Sequence, residues 1–128
     1  MLHNKKSIMT KKVYHLKTCD TTRRILKDIS EYLDGFEFQE IKEQPLTAKQ
    51  LDEMKALAGS YEALFSRRAK KYREMGLKEQ NLSEDDYRYY LLQDYTFLKR
   101  PVFIIGDTIF IGNSKKNLAA LKEKLQSL

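Results

Sequence analysis

The chain has 128 residues, of which 41% are hydrophobic and 33% are charged, and its formal net charge is +6. This composition is typical of a globular domain with its own core, and no stretch approaches the roughly 18 apolar residues of a membrane-spanning helix. The positive charge indicates an anionic partner without selecting one. We expect residues 1–10 to form a flexible tail and residues 11–128 to form a single domain.

The first third of the chain has the pattern of a strand, a helix and a second strand. Residues 13–16 are β-prone and lie between lysines, which predicts a strand. Apolar residues repeat at helical spacing over residues 20–33, and the following Asp-Gly dipeptide indicates the helix end. Residues 36–41 predict the second strand. This order is typical of a βαβ unit with two parallel strands.

The middle of the chain, residues 47–96, is predicted to be a helical insertion. Thr47 and Ser83 are good N-cap residues, and each precedes a stretch of apolar residues at helical spacing. Shorter helical pieces are predicted at residues 60–65 and 69–75. Within this region the stretch RRAKKYR has five basic residues in seven. We interpret it as solvated helix surface rather than a ligand site.

The last third returns to strands. Residues 102–105 and 108–111 are two apolar runs joined by a Gly-Asp dipeptide, which is a strong hairpin signal. Asn113 or Ser114 then begins a final helix with leucines on one face. The whole chain is therefore predicted as an α/β protein with the order βαβ, helical insertion, ββα.

The single cysteine, Cys19, stands at the predicted junction of the first strand and the first helix. A thiol there lies beside unpaired backbone amides and the positive end of the helix dipole, which both stabilise a thiolate. Arg23 and Arg24 add positive charge, whereas Asp20 opposes the thiolate unless its carboxylate turns toward the helix amides. Because the flanking residues 17–21 are polar, we predict a functional thiol rather than a buried structural cysteine.

The counts of cysteine and histidine limit the remaining chemistry. One cysteine excludes an internal disulfide, and with the absence of a signal-peptide pattern this predicts a cytoplasmic protein. One cysteine and two histidines are too few for a zinc site, and no nucleotide loop or nucleic-acid motif is present. The sequence therefore predicts no bound metal or cofactor, and neither a membrane nor a nucleic acid as partner.

Short motifs of the chain follow the order and spacing of one known family. In the stretch YHLKTCDTTR, the pattern Y-H-N-P-x-C-G-T-S-R is matched at Tyr14, His15, Cys19, Thr21 and Arg23. The stretch TCDTTRR also matches N-C-D-T-x-K-K. YREMGL fits Y-x-E-L-G-L, and RPVFII fits an arginine–proline strand start. Over residues 11–127 the chain therefore resembles the arsenate reductase-like family. This family includes glutathione-coupled arsenate reductases, Spx regulators and YffB-type proteins.

The resemblance implies a thioredoxin-like (glutaredoxin-like) fold with a mixed four-stranded sheet. In such folds the proline that opens the strand facing the thiol loop is often cis, which predicts a cis bond between Arg100 and Pro101. The alternative is a proline that simply starts an edge strand.

The resemblance also implies site residues. Cys19 is the implied catalytic thiolate, with Arg100 as a rigid donor toward an oxyanion. A second, loop arginine falls within Ser66–Arg68: the YffB pattern favours Arg68, whereas the arsenate reductase pattern places it at Ser66. His15 matches a family histidine that supports the thiolate, although a lone histidine is more often a strand or core residue. Further contacts to an oxyanion or thiol ligand are predicted at Thr21, Thr22, Arg23, Arg67 and Pro101.

The chain departs from the arsenate reductase pattern at several positions. A third arginine, which arsenate reductases use after the last strand, would fall at Gly112. Leu16 and Lys17 replace the Asn-Pro before the cysteine, and Asp20 replaces the glycine after it. The resemblance therefore implies thiol chemistry more directly than arsenate reduction.

These observations lead to one hypothesis and one alternative. The hypothesis is a single-cysteine thiol oxidoreductase whose Cys19 thiolate attacks a small oxyanion or a disulfide. Because the chain has no second cysteine, an external thiol must resolve the adduct; the resemblance implies glutathione as co-substrate and glutaredoxin as a further partner. The alternative is a non-enzymatic, Spx-like regulator that binds RNA polymerase through the basic stretch and the tyrosine-rich helix.

Overall fold

The computed structural model of the protein describes residues 9–128, so residues 1–8 of the predicted tail lie outside the described part of the chain. The strands of this part are β1 (Lys11–His15), β2 (Glu37–Glu40), β3 (Val102–Ile105) and β4 (Thr108–Ile111). They form one sheet in the order β2-β1-β3-β4, in which β1 and β2 are parallel and the other two pairs are antiparallel. This confirms the predicted α/β class and the mixed four-stranded sheet.

Helices connect the strands and form the insertion. The α-helices are α1 (Asp20–Asp28), α2 (Ala48–Ala58), α3 (Lys70–Glu74), α4 (Glu84–Gln93) and α5 (Lys115–Gln126). Single turns of 3₁₀ helix lie at Ser30–Tyr32, Glu62–Leu64, Leu77–Glu79 and Tyr95–Phe97. No helix within residues 9–128 is long and apolar enough to cross a membrane.

Alternate residues of the central strands face two separate hydrophobic clusters. Val13 and Phe103, which pair across β1 and β3, lie in a cluster with residues of α1 and α5. The next pair, Tyr14 and Val102, lies in a second cluster with residues of the insertion. Because side chains alternate along a strand, one helical layer covers each face of the sheet.

Local signals place most element ends where the sequence predicts them. Thr47 and Ser83 each form a capping box, with Gln50 and Asp86 respectively as the third helical residue. The final helix is capped by Ser114, whose hydroxyl accepts a hydrogen bond from the Asn117 amide at 3.1 Å. The hairpin turn between β3 and β4 is the predicted Gly-Asp dipeptide.

Three predicted elements differ from the structure. The helix expected over residues 20–33 ends at Asp28, and Ile29 (φ −109°, ψ 14°) leads into a tighter 3₁₀ turn. Its apolar residues still share one cluster, which explains why their spacing suggested a continuous helix. The piece expected at 60–65 is a single 3₁₀ turn. β1 begins at Lys11 rather than Val13, because Lys11 and Lys12 pair with β3.

Candidate active site

A cavity of about 440 Å³ opens where the loop between β1 and α1 meets the insertion and the start of β3. We call this loop, residues 16–19, the thiol loop. Cys19 lies in the wall of the cavity together with four cationic residues, Arg67, Arg68, Lys99 and Arg100. A single thiol is therefore surrounded by positive charge in a concave site.

Cys19 is the N-cap residue of α1 and has extended backbone angles (φ −92°, ψ 108°). Its amide donates to the Leu16 carbonyl at 3.1 Å and closes the thiol loop as a turn, while its carbonyl accepts the first helical bond from Arg23 at 3.0 Å. The side chain is half-buried. The thiol thus lies at the start of the helix, which is the location that the sequence predicts.

The surroundings of Cys19 lower the pKa of its thiol below the ordinary value. Burial acts in the opposite direction and raises the pKa, but hydrogen bonds from the Thr22 side chain and backbone, a hydrogen bond from Arg100 and the Arg100 charge together outweigh it. Thr22 is 0% exposed, and its hydroxyl has no hydrogen-bond partner within the described residues. The unpartnered hydroxyl of Thr22 is therefore available to the sulfur of Cys19, whereas the sequence suggested a ligand contact.

Arg100 is held in place by backbone carbonyls of the segment that precedes β3. Its Nη1 atom donates to the carbonyls of Leu98 at 3.1 Å and Thr96 at 3.3 Å. Its buried Nε atom has no hydrogen-bond partner in residues 9–128. The Arg100–Pro101 peptide bond is cis, as predicted, and Pro101 itself is buried outside the cavity wall. The guanidinium is thus fixed with donor capacity left for an anion.

The two loop arginines differ in their contacts. Arg67 forms an ion pair with Glu62 at 2.7 Å, and the same guanidinium nitrogen donates to the Tyr87 hydroxyl at 2.9 Å. Arg68 has no ion pair and no side-chain hydrogen bond within residues 9–128. Both arginines and Ser66 line the cavity. Arg68 is consequently the loop arginine whose charge is free for a ligand.

His15 does not lie in the cavity wall, in contrast to the predicted supporting role. It points to the same face of the sheet as Val13, whereas Cys19 packs against the cluster on the opposite face. Its ring contacts Phe38 edge-on, with 5.7 Å between centroids, and burial lowers its pKa. The position of His15 gives no support to a direct contact with the thiol.

Thr21 and Arg23 also lie outside the cavity wall. Arg23 forms an ion pair with Asp20 and donates to the Lys17 carbonyl at 3.2 Å. This pairing corrects the prediction of Arg23 as a ligand contact, because its guanidinium is already engaged on the outside of α1. The Asp20 carboxylate is therefore paired with a cation, which weakens the opposition to the thiolate that the sequence predicts for Asp20.

The structure adds one site residue that sequence reasoning missed. Lys99 lines the cavity, and its side chain lies over Gly112, where an added Cβ atom would be 3.8 Å from the Lys99 Cβ atom. The sequence could have indicated Lys99 as a site residue, because it directly precedes Arg100. For metals, no group of three or more His, Cys, Asp or Glu side chains lies together in the part of the chain that the structure describes.

The fold and this site define a thioredoxin-like α/β protein with one cysteine at a helix start. Residues 14–121 match the model of the ArsC family, and the chain belongs to that family, which confirms the resemblance seen in the sequence. The uncharacterized protein YusI of Bacillus subtilis (strain 168) is 32% identical over 104 residues, which cover 77% of this chain and 86% of YusI.

Solved structures agree with this assignment. A Staphylococcus aureus COL protein, determined by NMR in solution, is 30% identical with a TM-score of 0.70, and the match covers 87% of this chain and 97% of that one. A putative arsenate reductase from Yersinia pestis has a TM-score of 0.71 at 18% identity, covering 90% of this chain and 99% of that one. The second likeness is one of fold alone.

Proposed function

We propose that the protein is a single-cysteine thiol oxidoreductase in which the Cys19 thiolate attacks a small oxyanion or a disulfide. The observation that carries this proposal is the position of Cys19 at the start of α1, in a cavity wall that also contains Arg68, Lys99 and Arg100. Thr22 and Arg100 both lower the pKa of Cys19, and each has a buried polar atom with no hydrogen-bond partner among the described residues. A low thiol pKa favours the nucleophilic form at neutral pH.

The proposed reaction with a disulfide has two exchange steps. The Cys19 sulfur bonds to one sulfur of the substrate, the substrate S–S bond breaks, and the second sulfur leaves as a thiolate that takes a proton from solvent. An external thiolate then attacks the mixed disulfide and releases the Cys19 thiolate. One disulfide is reduced and another is formed, so the electrons balance.

An oxyanion would follow a related route. Cys19 bonds to the central atom and one oxygen leaves as water. Two external thiols are then oxidised to a disulfide and the central atom gains two electrons. Its bond to Cys19 breaks, which releases the reduced oxyanion and the Cys19 thiolate. Arg100 and the amides at the start of α1 would stabilise the negative charge of the bound oxyanion.

The external thiol is required because the sequence contains one cysteine. We propose glutathione for this role: its carboxylates complement the cationic wall formed by Arg68, Lys99 and Arg100. Glutaredoxin is the proposed reductant of the resulting mixed disulfide. This chemistry needs a reducing compartment, which supports a cytoplasmic location.

The contacts of the basic stretch favour the enzyme over the regulator that binds RNA polymerase. Three of its five cations are ion-paired within the chain, Arg67 with Glu62, Lys70 with Glu74 and Lys71 with Asp94. Of the remaining two, Arg68 lines the cavity beside Cys19. The stretch therefore offers a docking partner less free charge than its composition indicates.

The proposal is tested with intact-protein mass spectrometry after incubation with glutathione disulfide. We expect one glutathione adduct that excess thiol removes, and no adduct on Cys19→Ser. Absence of an adduct on the wild-type protein, together with an ordinary thiol pKa, overturns the proposal. Arsenate turnover with glutathione and glutaredoxin then decides whether the substrate is an oxyanion or a disulfide.

A further inference from the structure

The shortest hydrogen bond between the thiol loop and a distant side chain is the one that Glu40 accepts. We propose that Glu40 is a positioning residue for Cys19: its buried carboxylate holds the thiol loop so that Thr22 and Arg100 reach the sulfur. This inference rests on the proposed function only in taking Cys19 as the reactive group. Glu40 touches neither the cavity nor the thiol, so it acts through the backbone.

Glu40 is the last residue of β2 and is only 8% exposed. Its Oε2 atom accepts a hydrogen bond from the Lys17 amide at 2.9 Å. Its Oε1 atom accepts from the amides of Lys42 and Glu43, each at 2.8 Å. One carboxylate therefore joins the thiol loop to the turn that follows β2.

The hydrogen bond from the Lys17 amide to Glu40 holds the middle of the thiol loop. Lys17 lies inside the turn that the Cys19 amide closes on the Leu16 carbonyl. The Lys17 carbonyl also accepts from Arg23, so the Lys17 residue is held through its amide and its carbonyl. Among residues 9–128, Glu40 is the side chain that accepts a hydrogen bond from a thiol-loop amide. Loss of the Glu40 hydrogen bond would therefore allow the thiol loop, which carries Cys19, to move.

Three amide donors require the acceptor capacity of a carboxylate. A carboxylate presents two oxygens and no hydrogen, whereas a carboxamide replaces one oxygen with an NH₂ group. In Glu40→Gln that NH₂ group would face either the Lys17 amide or the amides of Lys42 and Glu43. A donor facing a donor removes at least one of these part-buried hydrogen bonds, which weakens the attachment of the loop.

The charge of Glu40 and its positioning effect act on the thiol in opposite directions. Negative charge near a thiol disfavours the thiolate, so removing the charge alone lowers the thiol pKa. Loss of the loop geometry weakens the effect of Thr22 and Arg100 on the sulfur and so raises the thiol pKa. The other charged groups around Glu40 are Lys17 of the thiol loop, His15 of β1, and Lys42 and Glu43 of the following turn. None of them changes in the variant.

The experiment measures the rate of Cys19 alkylation by neutral iodoacetamide against pH, with thermal denaturation in parallel. In Glu40→Gln we expect the thiol pKa to rise by about 0.5 unit or more, which slows alkylation at neutral pH roughly threefold. Glu40→Asp keeps the charge but shortens the reach, and we expect a rise there as well. The matched control is Glu43→Gln, an exposed carboxylate that pairs with the Lys17 ammonium at 3.3 Å, and we expect no rise.

A folded Glu40→Gln protein with an unchanged or lowered thiol pKa overturns the inference, even if its denaturation midpoint falls. If neither Glu40 variant folds, hydrogen exchange in the wild-type protein decides. The Lys17 amide should exchange more slowly than the Thr18 amide, which has no acceptor within the described residues. Equal rates would contradict the inference.

These outcomes separate the two proposals. A wild-type thiol with an ordinary pKa removes the basis of the proposed function. A wild-type thiol with a lowered pKa that Glu40→Gln leaves unchanged removes only the role of Glu40.

Discussion

Thr22 lowers the pKa of the Cys19 thiol through its hydroxyl and its backbone amide. The two residues are three positions apart in the first turn of α1, where backbone amides have no helical acceptor. The Thr22 side chain is fully buried and its hydroxyl has no hydrogen-bond partner in residues 9–128, so it is available to an anionic sulfur. An anionic sulfur accepts more strongly than a thiol, so the turn favours the thiolate.

Replacing Thr22 by valine should raise the thiol pKa of Cys19. The variant keeps the shape and the backbone amide but removes the hydroxyl, and one hydrogen bond to a charged group is worth about 1.5–3 kcal/mol, or roughly one to two pKa units at most. The pH dependence of alkylation measures the change. Thr22→Ser retains the hydroxyl and should restore most of the reactivity. Equal pKa values for Thr22→Val and wild type would contradict the role of the hydroxyl.

Arg100 supplies both a hydrogen bond and a charge, and two variants separate them. Arg100→Met removes both and should give the larger rise in the Cys19 pKa. Arg100→Lys keeps the charge but loses the planar fork anchored on the Leu98 and Thr96 carbonyls, so we expect an intermediate rise. The same alkylation profile measures both variants. A thiol pKa in Arg100→Met that matches the wild type would show that Arg100 does not act on the sulfur.

Arg68 should affect anionic substrates without affecting the thiol. Its charge is free in the cavity wall, so Arg68→Met should slow mixed-disulfide formation with glutathione disulfide by about five- to tenfold, corresponding to roughly 1 kcal/mol or slightly more. The rate with the neutral hydroxyethyl disulfide should stay near wild type. Arg73→Met, an exposed arginine outside the cavity, is the matched control. A similar slowing with both disulfides would contradict a role in anion recognition.

Acid should weaken the segment that carries Arg100, through Asp94. Burial raises the pKa of Asp94, but hydrogen bonds from Lys71 and from the Thr96 hydroxyl and amide lower it below its usual value. The unfolded chain therefore binds the proton more readily. The stabilisation is present above the unfolded pKa of about 3.9 and is lost as the pH falls through the folded value.

Urea unfolding at neutral pH and near pH 3 measures this effect in wild type and Asp94→Asn. We expect Asn at position 94 to cost about 1–3 kcal/mol at neutral pH and to reduce the loss of stability in acid. Asp107→Asn, in the exposed β3–β4 turn, serves as a comparison. An acid dependence in Asp94→Asn equal to that of wild type would contradict this assignment.

The insertion should be stabilised by its caps independently of the site. The Thr47 hydroxyl accepts from the Gln50 amide at 3.0 Å, and the Gln50 side chain accepts from the Thr47 amide at 3.1 Å. Thr47→Ala should therefore lower the free energy of unfolding by about 1 kcal/mol in urea titrations. Its thiol pKa should match wild type. A shifted thiol pKa in this variant would mean that α2 is coupled to the thiol loop.

Local signals made much of the fold predictable from the sequence. Cap residues such as Ser83 and the Gly-Asp turn before Thr108 act through their nearest neighbours. A short stretch of sequence is therefore enough to predict the element ends that they form. The length of α1 was not predictable in the same way. Ile29 and Leu33 keep helical spacing through a 3₁₀ turn, because both conformations bury them in the same cluster.

The site was predictable where it depends on order along the chain. A strand followed by a helix puts Cys19 at a helix start, whatever the rest of the fold does. The distinction between Arg67 and Arg68 was not predictable, because the Tyr87 contact that engages Arg67 comes from a helix twenty residues away. The placement of His15 could have been predicted from the sequence. His15 lies two residues after Val13 in β1, so both side chains point to the same face of the sheet.

The most direct test of the whole account is the pKa of the Cys19 thiol in the wild-type protein, measured from the pH dependence of its alkylation. The account predicts a value clearly below the roughly 8.5 of an ordinary thiol, because Thr22 and Arg100 outweigh burial. A thiol that titrates at or above that ordinary value would contradict it.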